Sequence, residues 1–86
     1  MNISDDIHNY YEKLVAQHFT LAKFEEQYDS EVLADLVCLV LNQLPTRYIR
    51  HEVDMAFYLS VSERFEMENN VKVAVAKALE FMKEQN

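Results

Sequence analysis

The chain has no glycine and one proline, Pro45, among its 86 residues. Tight hairpin turns draw on Gly or Asn at positive φ, so a chain without glycine is poorly equipped to build many of them. Repeated strands and turns are thereby disfavoured, and helices joined by a few plain connections are expected. The same absence excludes the glycine-rich phosphate loops of dinucleotide-binding and P-loop folds. Cysteine is almost missing too. Cys38 has no partner for a disulfide within the chain, which fits a cytoplasmic setting. The longest apolar run, from Leu36 to Leu41, is far too short for a membrane span. The opening Met-Asn-Ile-Ser-Asp-Asp lacks the basic-then-apolar order of a secretory signal. A cytoplasmic location and no membrane partner are expected.

Basic residues are scarce, and the formal net charge is −7. Two lysines and eight acids precede Pro45, giving −6, and six basic residues with seven acids from there on give −1. Such a chain repels polyanions, so DNA, RNA and anionic lipid are excluded as general partners. A compact anionic ligand held by a local cluster remains compatible with that average.

What is present is apolar material, half of all residues, enough for one folded domain of this length. Ser4 followed by Asp5 and Asp6 reads as a helix start. Ile7, Tyr10, Tyr11, Leu14, Val15 and His18 then recur at helical spacing, predicting a first helix over about 5–18, with a possible extension to 22. Residues 19–29 read as a frayed end and a connection, with Phe24 and Tyr28 as anchors onto the core. Asp29 or Ser30 caps a second helix carrying Leu33, Leu36, Val37, Val40, Leu41 and Leu44, which Pro45 closes. That helix is apolar nearly all round, which predicts the most buried element of the fold. Asp35, Cys38 and Asn42 share one of its faces. Residues 53–59 fit either a short strand or a helix. Ser60 with Glu63 is a capping-box pattern. Met67, Val71, Ala74, Val75, Ala78, Leu79 and Met82 make a long stripe on a last helix that runs through Asn69-Asn70. The expected fold is all-α, a small bundle of three to four helices. A stripe that long exceeds what two short helices comfortably cover, which points to a homodimer, with a tight monomeric bundle as the alternative.

Enzymatic chemistry finds little support. Close ligand pairs for zinc are absent, and His8 and His18 are too far apart to meet on one helix. Cys38 lies mid-helix among leucines and valines, where a thiol behaves as a small hydrophobe. The adjacent acids Asp5-Asp6 and Glu25-Glu26 read as solvated surface. No metal or cofactor, and no catalysis, is expected.

One segment departs from the acidic background: Pro-Thr-Arg-Tyr-Ile-Arg-His-Glu, residues 45–52. Arg47, Arg50 and His51 cluster there around Tyr48. Guanidinium forks suit phosphate oxygens, and a tyrosine face can stack on a purine. The competing possibility is that Arg47 and Arg50 pair with Glu52, Asp54 or Asp35 while Tyr48 packs inward.

The run from Asp35 through Leu-Val-Cys-Leu-Val-Leu to Asn42-Gln43-Leu44-Pro45-Thr46-Arg47-Tyr48-Ile49 resembles the signature of the late competence development protein ComFB family. That signature reads as an acid, an apolar run, then Leu-Asn-x-Leu-Pro-Pro-x-Tyr-Val. The resemblance extends through Asp54 and, more loosely, the last helix, covering about Glu31 to the C-terminus. It implies a small helical homodimer. Several members are described as receptors for cyclic di-GMP or cyclic di-AMP, linked to competence, pili, motility or biofilm. Carried over by motif position, Asn42, Leu44, Pro45, Arg47, Tyr48 and Arg50 would be the residues that matter, and the ligand-binding set would be Asp35, Asn42, Arg47, Tyr48 and Arg50, with His51 beside them in the basic cluster. Asn42 would shape the connection, and Asp35 would hold an arginine or accept from a guanine. The rival is a dimeric protein-interaction module with no small ligand, acting on an unidentified downstream protein. Thr46 replaces the second proline of the pattern, and the cysteine cluster that holds zinc in some members is lacking, so no metal is carried over.

Overall fold

The computed structural model describes residues 7–50 and 59–85. Its elements in chain order are β1 (Ile7–Asn9), α1 (Tyr10–Leu21), α2 (Phe24–Gln27), α3 (Ser30–Leu41), β2 (Tyr48–Arg50) and α4 (Val61–Gln85). Among the described residues four helices thus form the bundle, and one antiparallel ribbon, β1 with β2, is added to it. Residues 53–58, ambiguous from the sequence, lie outside the described residues, as do Ser4, Asp5 and Asp6.

The first helix begins later than its amphipathic pattern suggests. Ile7 is spent on the ribbon rather than on a helical turn, and the cap is Asn9, in extended conformation, whose Oδ1 accepts from the Tyr11 N–H at 3.2 Å. An Asx side chain in that position satisfies one of the backbone donors a helix start leaves open. Tyr11, Leu14, Val15 and Phe19 form the buried face of α1.

Between α1 and α2 the chain turns at Lys23, whose φ of 57° is the single positive value among the described residues. In place of a plain connection there is a one-turn helix that seats Phe24 in the core, edge-on to Phe19 at 5.0 Å and to Tyr28 at 5.7 Å. Gln27 Nε2 donates back to the Ala22 carbonyl at 2.9 Å and fastens the turn.

Asp29 caps α3, its Oδ1 accepting from the Val32 N–H at 2.9 Å. Leu36 and Val40, both at 0% exposure, are the most buried side chains among the described residues. Regular helix ends at Leu41, three residues ahead of Leu44. The last turn tightens instead, Gln43 N–H to Val40 C=O and Leu44 N–H to Leu41 C=O, before Pro45 turns the chain away. Burial on α3 is also one-sided. Cys38, expected among packed leucines, is exposed. The open face carries Glu31, Ala34, Asp35 and Cys38, with Asn42 just beyond the helix end.

α4 starts where Ser60 Oγ accepts from the Glu63 N–H at 3.1 Å, as the capping pattern anticipates. It runs without a break through Asn69 and Asn70, and Asn70 Nδ2 donates to the Tyr11 hydroxyl at 3.2 Å. Met67, Val71, Ala74, Val75 and Ala78 follow at spacings of three and four and are buried against α1 and α3. Twenty-five residues span about 37 Å at 1.5 Å each, roughly twice the length of α1 or α3. Its ends therefore project past the shared core, leaving Val61 and Phe65 exposed at one end and Phe81 partly exposed at the other.

Candidate functional site

The basic segment forms strand β2, and the pairing register fixes which way each residue points. Ile7 faces Arg50, His8 faces Ile49 and Asn9 faces Tyr48. One step further, the Tyr10 N–H donates to the Arg47 carbonyl at 2.7 Å. Antiparallel pairs alternate between exchanging backbone hydrogen bonds and turning them outward. Because Tyr10 and Arg47 bond, His8 and Ile49 form the next bonded pair. The backbone groups of Tyr48 and Arg50 then point away from β1. Side chains alternate as well: Ile49 packs on the core, while Tyr48, at 63% exposure, and Arg50 stand on the solvent side.

Asn9 ties this segment to α1. Besides capping the helix, its Oδ1 accepts from the Arg47 N–H at 2.9 Å. The basic segment is thus held in position by the same atom that starts the first helix. Among the described residues, neither Arg47 nor Arg50 has a carboxylate at ion-pair distance. Of the partners the sequence offered, Glu52 and Asp54 lie outside the described residues, and Asp35 lies elsewhere.

Asp35 and Asn42 line a groove between α3 and the end of α4, as does Cys38, so the predicted shared face is present. The groove encloses about 680 Å³, and its walls are mainly apolar: Tyr28, Val32, Leu39, Leu79, Phe81 and Met82. Lys83 stands with Asp35 on its lining. A second hollow of about 300 Å³ has Arg47, Pro45 and Thr46 on one side and Glu63, Glu66 and Asn70 on the other. The six residues singled out from the sequence thus fall in separate places. Asp35 and Asn42 line the groove, Arg47, Tyr48 and Arg50 are on or beside the ribbon, and His51 is outside the described residues.

Two residues with positioning roles had not been singled out. Asn9 is one, visible in sequence only as an Asx residue near an apolar run. The other is Gln43, whose Nε2 donates to the Leu39 and Ala74 carbonyls, both at 3.0 Å, and so ties the end of α3 to the middle of α4. Among the described residues, no group of three or more His, Cys, Asp or Glu side chains could hold a metal ion. No described helix is long and apolar enough to cross a membrane.

No curated protein and no solved structure matches the chain. The family described as "Late competence development protein ComFB" matches residues 8–86. That span takes in α1, Asn9 and all of the ribbon but Ile7 as well as the central motif, and so reaches further than the resemblance from Glu31 onward. With nearly its whole length matched, the chain belongs to the ComFB family.

Proposed function

We propose that this domain is a non-enzymatic regulatory module that works by binding proteins, a second copy of itself among them. The observation that carries this is the apolar groove between α3 and α4. Phe81, at 47% exposure, sits there beside the half-buried Tyr28, Val32, Leu39, Leu79 and Met82. Contiguous apolar surface of this kind on a small protein marks an interaction site. A two-fold arrangement would bring the α4 end of one copy onto the groove of the other, each covering the same surface. Light scattering on the eluting protein tests this. A dimer is expected, and Phe81→Asp is expected to return it to a monomer with unchanged helical circular dichroism. A wild-type monomer at every concentration reached would overturn the self-association.

A cyclic dinucleotide is the second reading, favoured by exposed guanidinium groups on Arg47 and Arg50, close on either side of Tyr48 in the chain. The 300 Å³ hollow beside Arg47 is at the small end for a ligand pocket. A dinucleotide would therefore lie along the ribbon surface, phosphates on Arg47 and Arg50 and a base on Tyr48. Titration calorimetry with cyclic di-GMP and cyclic di-AMP, against their linear forms, decides it. Saturable binding lost in the Arg47→Ala/Arg50→Ala double variant would support a receptor, and silence for both would leave the protein-binding role alone.

A further inference from the structure

We propose that the outer edge of β2 is a docking strand for an extended acidic segment of another protein, which adds to the ribbon as a third strand. This rests on the protein-binding reading above and names the partner class for the ribbon. The pairing register turns the N–H and C=O groups of Tyr48 and Arg50 away from β1, and among the described residues no other strand pairs with them. Such an edge is a template for strand addition, in which main-chain bonds give affinity and alternate side chains give specificity.

The charge of the edge selects the occupant. Arg47 and Arg50 are exposed and, among the described residues, have no carboxylate in ion-pair reach, on a chain of net charge −7. A segment opposite Tyr48 and Arg50 presents its own alternate side chains on the same solvent face, about 5 Å away. Acids at those positions meet the Arg50 guanidinium on the same face, with Arg47 adding positive charge at the start of the strand, while the strand's other side chains turn towards the face on which Ile49 packs. A basic segment is attracted to the acidic remainder of the surface and repelled here.

The geometry also dictates which backbone groups of the partner matter. The strand is added antiparallel, so a residue directly opposite Tyr48 or Arg50 exchanges both backbone hydrogen bonds with it, and the acidic residues of the added strand are the ones that donate. The probe is the peptide acetyl-Glu-Val-Glu-Val-Glu-amide, in three forms: unmodified, N-methylated on the glutamates and N-methylated on the valines. All three carry the same charge. Backbone amide resonances of the full chain report the binding. The unmodified and valine-methylated peptides are expected to shift Tyr48 and Arg50 and slow their exchange, and the glutamate-methylated form to bind at least about tenfold more weakly. The Arg47→Ala/Arg50→Ala variant should lose about tenfold while keeping its helical signal. Equal affinity of the two methylated peptides, or no shift of Tyr48 and Arg50 at millimolar peptide, would overturn the proposal. Light scattering on the same samples separates the two ideas. A dimer unresponsive to peptide removes only the docking strand, and a monomer that takes the peptide removes only the self-association.

Discussion

Asn9 shows how much a single side chain can hold in a small chain. Its one carbonyl oxygen accepts from the N–H groups of Tyr11, at the helix start, and of Arg47, just ahead of β2 and 38 residues along the chain from Asn9. Asn9→Ala leaves both donors without that acceptor and should cost about 1–2 kcal/mol, read as a lower urea midpoint. Amide exchange at Arg47 should quicken in the same variant, whereas Asn9→Asp, which keeps an acceptor, should retain most of the stability. Lys23 is a second informative residue. With no glycine in the chain, the left-handed turn before α2 falls to a lysine, at a cost of about 1–2 kcal/mol for the crowded Cβ. Lys23→Gly removes that crowding but frees the unfolded chain, so a net gain of roughly 0.5–1 kcal/mol is expected from the midpoint of thermal or urea unfolding.

Among the elements, α3 and α4 carry opposite risks. α3 is short and holds the two most buried side chains, so Leu36→Ala opens a cavity at the centre and should cost about 2–5 kcal/mol. For a domain of this size that is a large part of the roughly 4–13 kcal/mol available, and the variant should unfold cooperatively at much lower urea. α4 is long, and its first turns stand clear of the core, with Phe65 at 72% exposure. Phe65→Gln should therefore leave the midpoint within about 0.5 kcal/mol of the parent. A larger loss would mean that this end of α4 is covered in the folded protein as it exists in solution.

At the scale of the whole molecule the dimensions are telling. The radius of gyration is 14.0 Å and the extents are 42 × 31 × 21 Å, whereas a compact chain of this length has a radius of about 12 Å. α4 is about twice as long as either helix it packs on, and the partly exposed Phe81 near its end lies in the α3–α4 groove. If a second copy covers that groove, association and folding are coupled by mass action. The urea midpoint should then rise with protein concentration in the parent and become independent of it in Phe81→Asp. A midpoint that does not move with concentration in the parent would contradict that coupling.

The parts legible in the sequence are those set by local chemistry and by one-dimensional period. The α4 stripe from Met67 to Ala78, the Ser60 and Asp29 caps, the Phe24 anchor and the one-sided sharing of Asp35, Cys38 and Asn42 all follow from spacings of three and four or from a capping side chain next to its own helix. The ComFB motif was legible for the same reason, since it is a contiguous string around one helix end. What the tertiary structure alone decided were pairings between distant residues. Ile7 fits a helical stripe as well as it fits a strand, and only the arrival of Tyr48–Arg50 beside it settles the choice, because a lone three-residue strand has nothing to bond with. That pairing delays α1 to Asn9 and turns the backbone of Tyr48 and Arg50 outward. Which hollow each candidate residue lines, Asp35 the α3–α4 groove and Arg47 the one beside Glu63, was also set by packing. Burial of Cys38 depended likewise on where α4 lies across α3, and composition carries no record of that. A period names the face of a helix that is apolar, but only packing decides how much of that face another element covers.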